Sequence, residues 1–234
     1  MPETNKLLNN FLTLDIETFV KNNILIPYCI SIYDGNKGWS YFLSDFKIVE
    51  ELIITALKSI MIRKYNGYNV YMHNMAKFDI IFLLKYLVKM GNVKPIIHNG
   101  KIILIKFNFG KNYGLVFKDS YLILLASLAK LTVRFKVDTL KSIFPFFFVN
   151  ENNLQHIGEV PEFKFFKNIS PKDYENYIND FKGTNWNLKN ETVKYCEIDC
   201  VSLHQVIYKF SELIFKLFKK KNVHHKLIIL LFLV

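Results

Sequence analysis

The pattern of apolar and polar positions divides the chain into short β-type runs followed by longer helical ones. An apolar-rich run over residues 11–16 predicts a first strand, and Ile24–Tyr33 predicts a second. Asp34-Gly35-Asn36 reads as a hairpin turn, with Trp39–Leu43 returning beside the second strand. Over residues 48–63 the period changes. Ile48, Val49, Leu52, Ile53, Ala56, Leu57, Ile60 and Met61 form one helical stripe, which Asn66-Gly67 interrupts. A short strand follows at Val70–Met72, then a helix over Lys77–Met90 that Gly91 ends. Lys101–Phe107 and Tyr113–Lys118 pair as a hairpin around Gly110, and Ser127–Phe135 is helical. Leu140–Val149 is aromatic and irregular, and residues 150–168 form a polar loop region. Ser170-Pro171 with Asp173 marks a capped helix start, running to about Lys182. A last long helix begins near Asn187 and runs towards Phe218. Strands with interleaved helices and a closing long helix give an α/β layer architecture with a mixed central sheet.

Composition sharpens this picture in a few places. With 234 residues the chain is long enough for one large domain or two small ones. Half of it is hydrophobic (51%) and 16% is aromatic, which supports a sizeable core and argues against disorder. The formal net charge of +11 points to an acidic partner, nucleic acid before membrane, with general solubility as the plainer explanation. Arg63 and Arg134 are the only arginines, so almost all positive charge is Lys. Together with abundant Asn, Ile, Phe and Tyr, this matches the coding bias of an A+T-rich genome, as in organelles, plasmids and some viruses. Cys29, Cys196 and Cys200 are odd in number and are expected to be reduced and packed; no further Cys or His pair completes a zinc site at standard spacing. The N-terminus shows neither a signal peptide nor an Arg-rich presequence. The longest apolar run, Leu227–Val234, is too short to span a membrane.

Candidate chemistry starts at Asp15 and Glu17, which end the first strand. Residues i and i+2 of a strand face the same side, so the two carboxylates project together and raise each other's pKa. A hard divalent cation is the usual remedy; an acidic turn after the strand is the plain alternative. Asn74 and Asp79 fall at a strand–helix junction, where the helix dipole favours a carboxylate. Tyr195 and Asp199, four apart, share one helical face. Taken singly, Asp79 could be a helix-start charge, and Tyr195 and Asp199 a surface pair.

Taken in order, Asp15-x-Glu17, Asn74-x-x-x-Phe78-Asp79 and Tyr195-x-x-x-Asp199 resemble the three exonuclease motifs of family B DNA polymerases, in the protein-primed form typical of mitochondrial linear plasmids. Asp119-Ser120-Tyr121-Leu122 resembles that branch's Ser-Leu motif, with Tyr121 where Leu is expected. Lys141-Ser-Ile-Phe144 resembles its Lys-x-x-hydrophobic motif. The resemblance covers residues 11–215. It implies a ribonuclease H-like exonuclease fold over residues 1–218 and 3′–5′ hydrolysis of single-stranded DNA with two divalent cations, Mg2+ or Mn2+. It also implies roles: Asp15, Glu17, Asp79 and Asp199 as metal ligands, Tyr195 orienting the attacking water, and Lys141 near the scissile phosphate. Thr18, Asn74, Phe78 and Ser120 are implied to contact the strand. Beside Asn74, His73 is expected to be a hydrogen-bonded structural residue, and His204 has no assigned role.

The polymerase motifs of the family do not occur in this sequence, so palm, fingers and thumb are expected to be missing. The resemblance further implies a terminal protein as partner of a full-length parent, and a mitochondrial setting, with a viral or cytoplasmic one as the alternative. Residues 219–234, with three lysines and an apolar end, are expected to be a tail of separate origin. Two other functional classes stay open at this point: a stand-alone RNA- or DNA-trimming exonuclease, and a non-catalytic nucleic-acid-binding remnant.

Overall fold

The computed structural model describes residues 10–138 and 142–220; Lys141 and the apolar end 221–234 lie outside the described residues. The first strand, β1 (Phe11–Lys21), is longer than its apolar pattern suggests. It turns through Asn22 and Asn23, both with positive φ (51° and 61°), into β2 (Ile24–Tyr33). Paired left-handed residues make the tight turn whose twist matches a hairpin, and Asn accepts that conformation more readily than most side chains. Asp34 closes the next turn, its Oδ1 accepting from the Asn36 and Lys37 amides, and leads to β3 (Gly38–Phe42). Then come α1 (Val49–Ile60), β4 (Asn69–Met72), α2 (Asp79–Met90) and an unanticipated strand, β5 (Asn92–His98). β5 is an edge strand, the place where its Pro95 is tolerated. The hairpin β6 (Lys101–Phe109) and β7 (Tyr113–Asp119) follows, then α3 (Leu128–Phe135), α4 (Pro171–Asp180) and α5 (Leu188–Lys220), with a small β8–β9 ladder (Ile157–Gly158, Trp186–Asn187) before α5.

The seven-stranded sheet runs in the order β3-β2-β1-β4-β7-β6-β5. Its centre is parallel (β1–β4 and β4–β7), and both flanks are antiparallel hairpins. Alternation along β1 assigns its two faces. Leu12, Leu14 and Ile16 enter the core beneath α1 and α2 with Leu52, Leu57, Leu83 and Leu87. Phe11 points to the opposite face and packs with Tyr71, Leu203 and Ile207, under α5. Fully burying one such aliphatic side chain stabilises by about 1.5–3 kcal/mol, so the sheet is anchored on both sides. A buried hydrogen bond also ties α5 to β1: Thr13 Oγ1 donates to the Cys200 carbonyl at 2.8 Å.

His204, on α5, stacks on Phe11 at 4.1 Å and meets Tyr33 edge-on at 5.2 Å. The chain turns against it at Gly35, whose φ of +92° suits glycine and where a Cβ would come within 2.9 Å of His204 Nε2. Burial lowers the His204 pKa from an ordinary 6.5 to about 4, with Asp34 opposing weakly. The unfolded chain therefore takes up this proton at higher pH than the folded one. Stability from this group is complete above about pH 6.5 and is lost as pH falls towards 4, by at most on the order of 3 kcal/mol. We expect His204→Phe to reduce the loss of stability between pH 7 and 4. Urea unfolding of both proteins at the two pH values measures it, and equal losses would show that His204 is not responsible.

Candidate active site at the end of the first strand

The parallel pairing of β1 with β4 stops at Thr13–Tyr71, and β1 runs on past it. Asp15 and Glu17 therefore stand beyond the carboxyl end of the parallel centre, where open α/β sheets present their functional groups. Both point to the α5 face, opposite Ser31 and Cys29 of β2 respectively, and both are half-buried. A bulge between Glu17 and Thr18 shifts the register directly after the pair, which re-aims Thr18 relative to a regular strand.

The remaining acids arrive from two helices. Asp79 is the first residue of α2 and is 6% exposed. Its predicted helix starts two residues early, because Asn74 takes a left-handed φ of 71° and the chain turns through residues 73–78 before becoming helical. Tyr195 and Asp199 lie one turn apart on α5 and are hydrogen-bonded to each other. Electrostatics reports the convergence. Burial raises the Glu17 carboxyl well above the usual range, and the charges of Asp15, Asp199, Cys29 and Asp79 add to it. Asp79 is raised by burial and then by Asp15, against the lowering effect of its own backbone amide. Tyr195 is held far above the ordinary phenol range by burial, Asp199, Glu17 and Asp15, so its hydroxyl stays protonated as a donor.

Beside these groups lies a groove of about 940 Å³ whose lining includes Phe78, Ser127, Phe144, Phe147, Lys167 and Tyr195. Phe78 and Phe147 are open to solvent, at 50% and 65%. Other aromatics of the Phe-rich segment are structural. Phe144 and Phe146 pack on the Tyr195 ring at 5.3 and 5.2 Å, and Phe148 packs on Trp186.

Two residues of the Ser-Leu-like segment act differently from expectation. Ser120, expected to touch DNA, is 1% exposed. Its hydroxyl donates to the Met72 carbonyl at 3.0 Å and bonds His73 Nδ1 at 3.0 Å, so it fixes a loop. His73, bonded also to the Ala126 carbonyl, is structural as expected. The residue that the sequence reading missed is Asp119. It is 3% exposed and accepts from three backbone amides: Asn74 at 3.0 Å, Ala76 at 2.9 Å and Tyr121 at 2.9 Å. It thereby holds the turn that carries Asn74, Phe78 and Asp79. Only the parallel register Met72–Asp119 brings the two segments together, and local pattern does not encode that register.

The donor set fits hard divalent cations. Four carboxylates converge, and Glu17 and Asp79 are held against ionisation by burial and like charge, a deficit that a bound cation removes. Asp15, Glu17 and Cys196 each bring one donor atom within 4.8 Å of the others.

Comparison with known proteins places this geometry. Residues 59–228 match the family model described as DNA polymerase type B, organellar and viral. The chain belongs to this family. A probable DNA polymerase of Neurospora intermedia is 40% identical over 209 residues, covering 84% of this chain and 22% of its own length. One from Ascobolus immersus is 36% identical over 220 residues, covering 88% of this chain and 18% of its own. This type B chain thus spans about a fifth of the length of the curated relatives it matches. Among solved structures, Phi29 DNA polymerase complexed with single-stranded DNA superposes with a TM-score of 0.54 at 16% identity, over 88% of this chain and 31% of that one. The primer-template complex gives 0.52. The type B chain therefore has the expected mixed α/β, ribonuclease H-like fold. Among the described residues no helix is long and apolar enough to cross a membrane.

We expect Asp119→Ala to loosen the site without touching its acids. Three charge-assisted hydrogen bonds are removed, each worth about 1.5–3 kcal/mol, and the Asn74 and Ala76 amides are left without this acceptor. Hydrogen exchange at Asn74, Ala76 and Tyr121 should accelerate more than at β1. Unchanged protection at these three amides would remove the assigned role.

Proposed function

We propose that this chain carries the proofreading portion of a family B DNA polymerase, a metal-dependent 3′–5′ exonuclease acting on single-stranded DNA ends. The observation that supports this best is the convergence of Asp15, Glu17, Asp79, Asp199 and Tyr195, from three separate elements, beside a groove with an exposed Phe78. Asp15, Glu17, Asp199 and Asp79 hold two cations, Mg2+ or Mn2+, which supply an activated water and charge stabilisation on the attacking and leaving oxygens. Tyr195, kept protonated and bonded to Asp199, orients the water. Phe78 and Phe147 offer exposed faces on which the last bases stack, a sequence-tolerant mode of binding. Thr18 and Asn74 grip the terminal nucleotides, and Lys141 meets the phosphate. The exonuclease domain occupies residues 1–218, and the family match continues to residue 228, into the segment that the sequence alone sets apart as a tail. In a full-length parent this portion works in DNA replication alongside a polymerase domain and a terminal protein, in a mitochondrial, plasmid- or organelle-encoded setting.

Digestion of a labelled single strand with Mg2+, Mn2+ or EDTA tests the reading. Asp15→Ala and Asp79→Ala should each lower the rate on the order of a hundredfold or more, and EDTA should abolish it. Activity that survives both changes or resists EDTA would exclude the mechanism, and preference for a matched RNA strand would favour a trimming enzyme. Tyr195→Phe should be milder than Asp199→Ala, since it removes one orienting hydrogen bond of about 1–3 kcal/mol whereas Asp199 carries charge. The reverse order would mean that the roles are misassigned.

Binding to the single strand should be insensitive to sequence and weaken steeply with salt, because the net charge of +11 acts through counterion release. Fluorescence anisotropy across a salt series measures the slope, and a flat profile would contradict this.

A further inference from the structure

Not every donor atom at the site is oxygen. Cys196 follows Tyr195 on α5, is fully buried, and places Sγ 3.5 Å from Asp15 Oδ2. Asp15, Glu17 and Cys196 bring their donor atoms within 4.8 Å of one another. With Zn–S near 2.3 Å and Zn–O near 2.1 Å, sulfur and oxygen ligands of a tetrahedral zinc stand about 3.6 Å apart. The separation of Cys196 from Asp15 is already that of two ligands on one ion. Glu17, half-buried at the strand end, has its donor atom within 4.8 Å of the other two and supplies the third ligand of such a set. A hard ion gains nothing from the thiol, since Mg2+ takes oxygen donors, whereas Zn2+ and Cd2+ prefer sulfur.

We propose that Cys196 makes this site a trap for thiophilic divalent cations, with Zn2+ or Cd2+ held by Asp15, Glu17 and Cys196 in place of the hard cations. On binding, the thiol proton leaves to solvent and the thiolate joins two carboxylates. The other two cysteines do not share this position. Cys200 donates Sγ–H to the Ser31 carbonyl at 3.2 Å, and Cys29, on β2 opposite Glu17, is hydrogen-bonded to the Cys196 thiol and is not one of the three converging donors. Inhibition by Zn2+ as a consequence rests on the exonuclease reading; the coordination itself does not.

X-ray absorption of the unaltered full chain with one equivalent of Zn2+ tests the coordination directly. A single sulfur scatterer at about 2.3 Å with oxygen neighbours is expected; an all-oxygen shell, or more than one sulfur, overturns the proposal. Cd2+ titration followed by the thiolate-to-metal absorption band adds a variant test. The band should persist in Cys29→Ser and Cys200→Ser, and should disappear in Cys196→Ser. Zn2+ affinity by calorimetry should fall at least tenfold in Cys196→Ser and in Asp15→Asn. A band that survives Cys196→Ser overturns the assignment. Mg2+-supported hydrolysis without any zinc–sulfur signal would leave the exonuclease reading intact and remove this one; a zinc–sulfur signal without Mg2+-supported hydrolysis would do the opposite.

Discussion

Like charges forced together at the end of β1 set the terms for the rest of this structure. Asp15, Glu17, Asp79 and Asp199 gain nothing from one another, and burial raises the free energy of the charged forms of Glu17 and Asp79. A chain free to relax would spread them apart. Each is instead carried by an element whose position is fixed by contacts elsewhere. β1 is locked by its apolar face under α1 and α2, and α2 by Leu83 and Leu87 in the same core. α5 is fixed by Leu203 and Ile207 against Phe11 and by the Thr13–Cys200 bond. Apolar burial at some distance opposes the repulsion at the centre, a common relation between a rigid scaffold and a strained site.

Much of this was legible in the sequence because it depends on short-range pattern. The apolar-rich run over residues 11–16 pointed to β1, the helical stripe to α1, and the spacing of Tyr195 and Asp199 put both on one face of α5. Of the six residues proposed as catalytic, Asp15, Glu17, Asp79, Tyr195 and Asp199 lie close enough to act on one another's charge, and Lys141 lies outside the described residues. What escaped was non-local. The strand β5 carries Pro95 and exposed apolar residues, so its local pattern argues against a strand, and only pairing with β6 makes it one. Asp119 stood within a quoted motif without a role, because its three amide partners lie more than forty residues upstream or just past its own strand end. The burial of Ser120 was not legible for the related reason that burial is a tertiary property. Cys196 was expected to pack, and it does, yet α5 also aims its sulfur at Asp15.

The two scales of charge act in opposite directions. Over the whole chain the balance is +11, a field that draws in polyanions from a distance. At the centre the sign reverses, and a phosphodiester approaching Asp15 and Glu17 meets repulsion unless cations stand between. On the exonuclease reading, strand binding and cation binding are therefore coupled. Each removes an unfavourable charge contact for the other, and the coupling free energy is the same whichever binds first. The exposed Phe78 and Phe147 lie outside this coupling, since stacking on a ring face does not depend on the charge at the centre. On the same reading a strand can rest in the groove in two conditions. Without cations it is held by lysines and aromatic faces, with its end kept off the acids. With cations the end can enter. On this reading, the separation of a general, salt-sensitive grip from a local, cation-gated one follows from gathering acids at the end of the first strand of a protein whose net charge is +11.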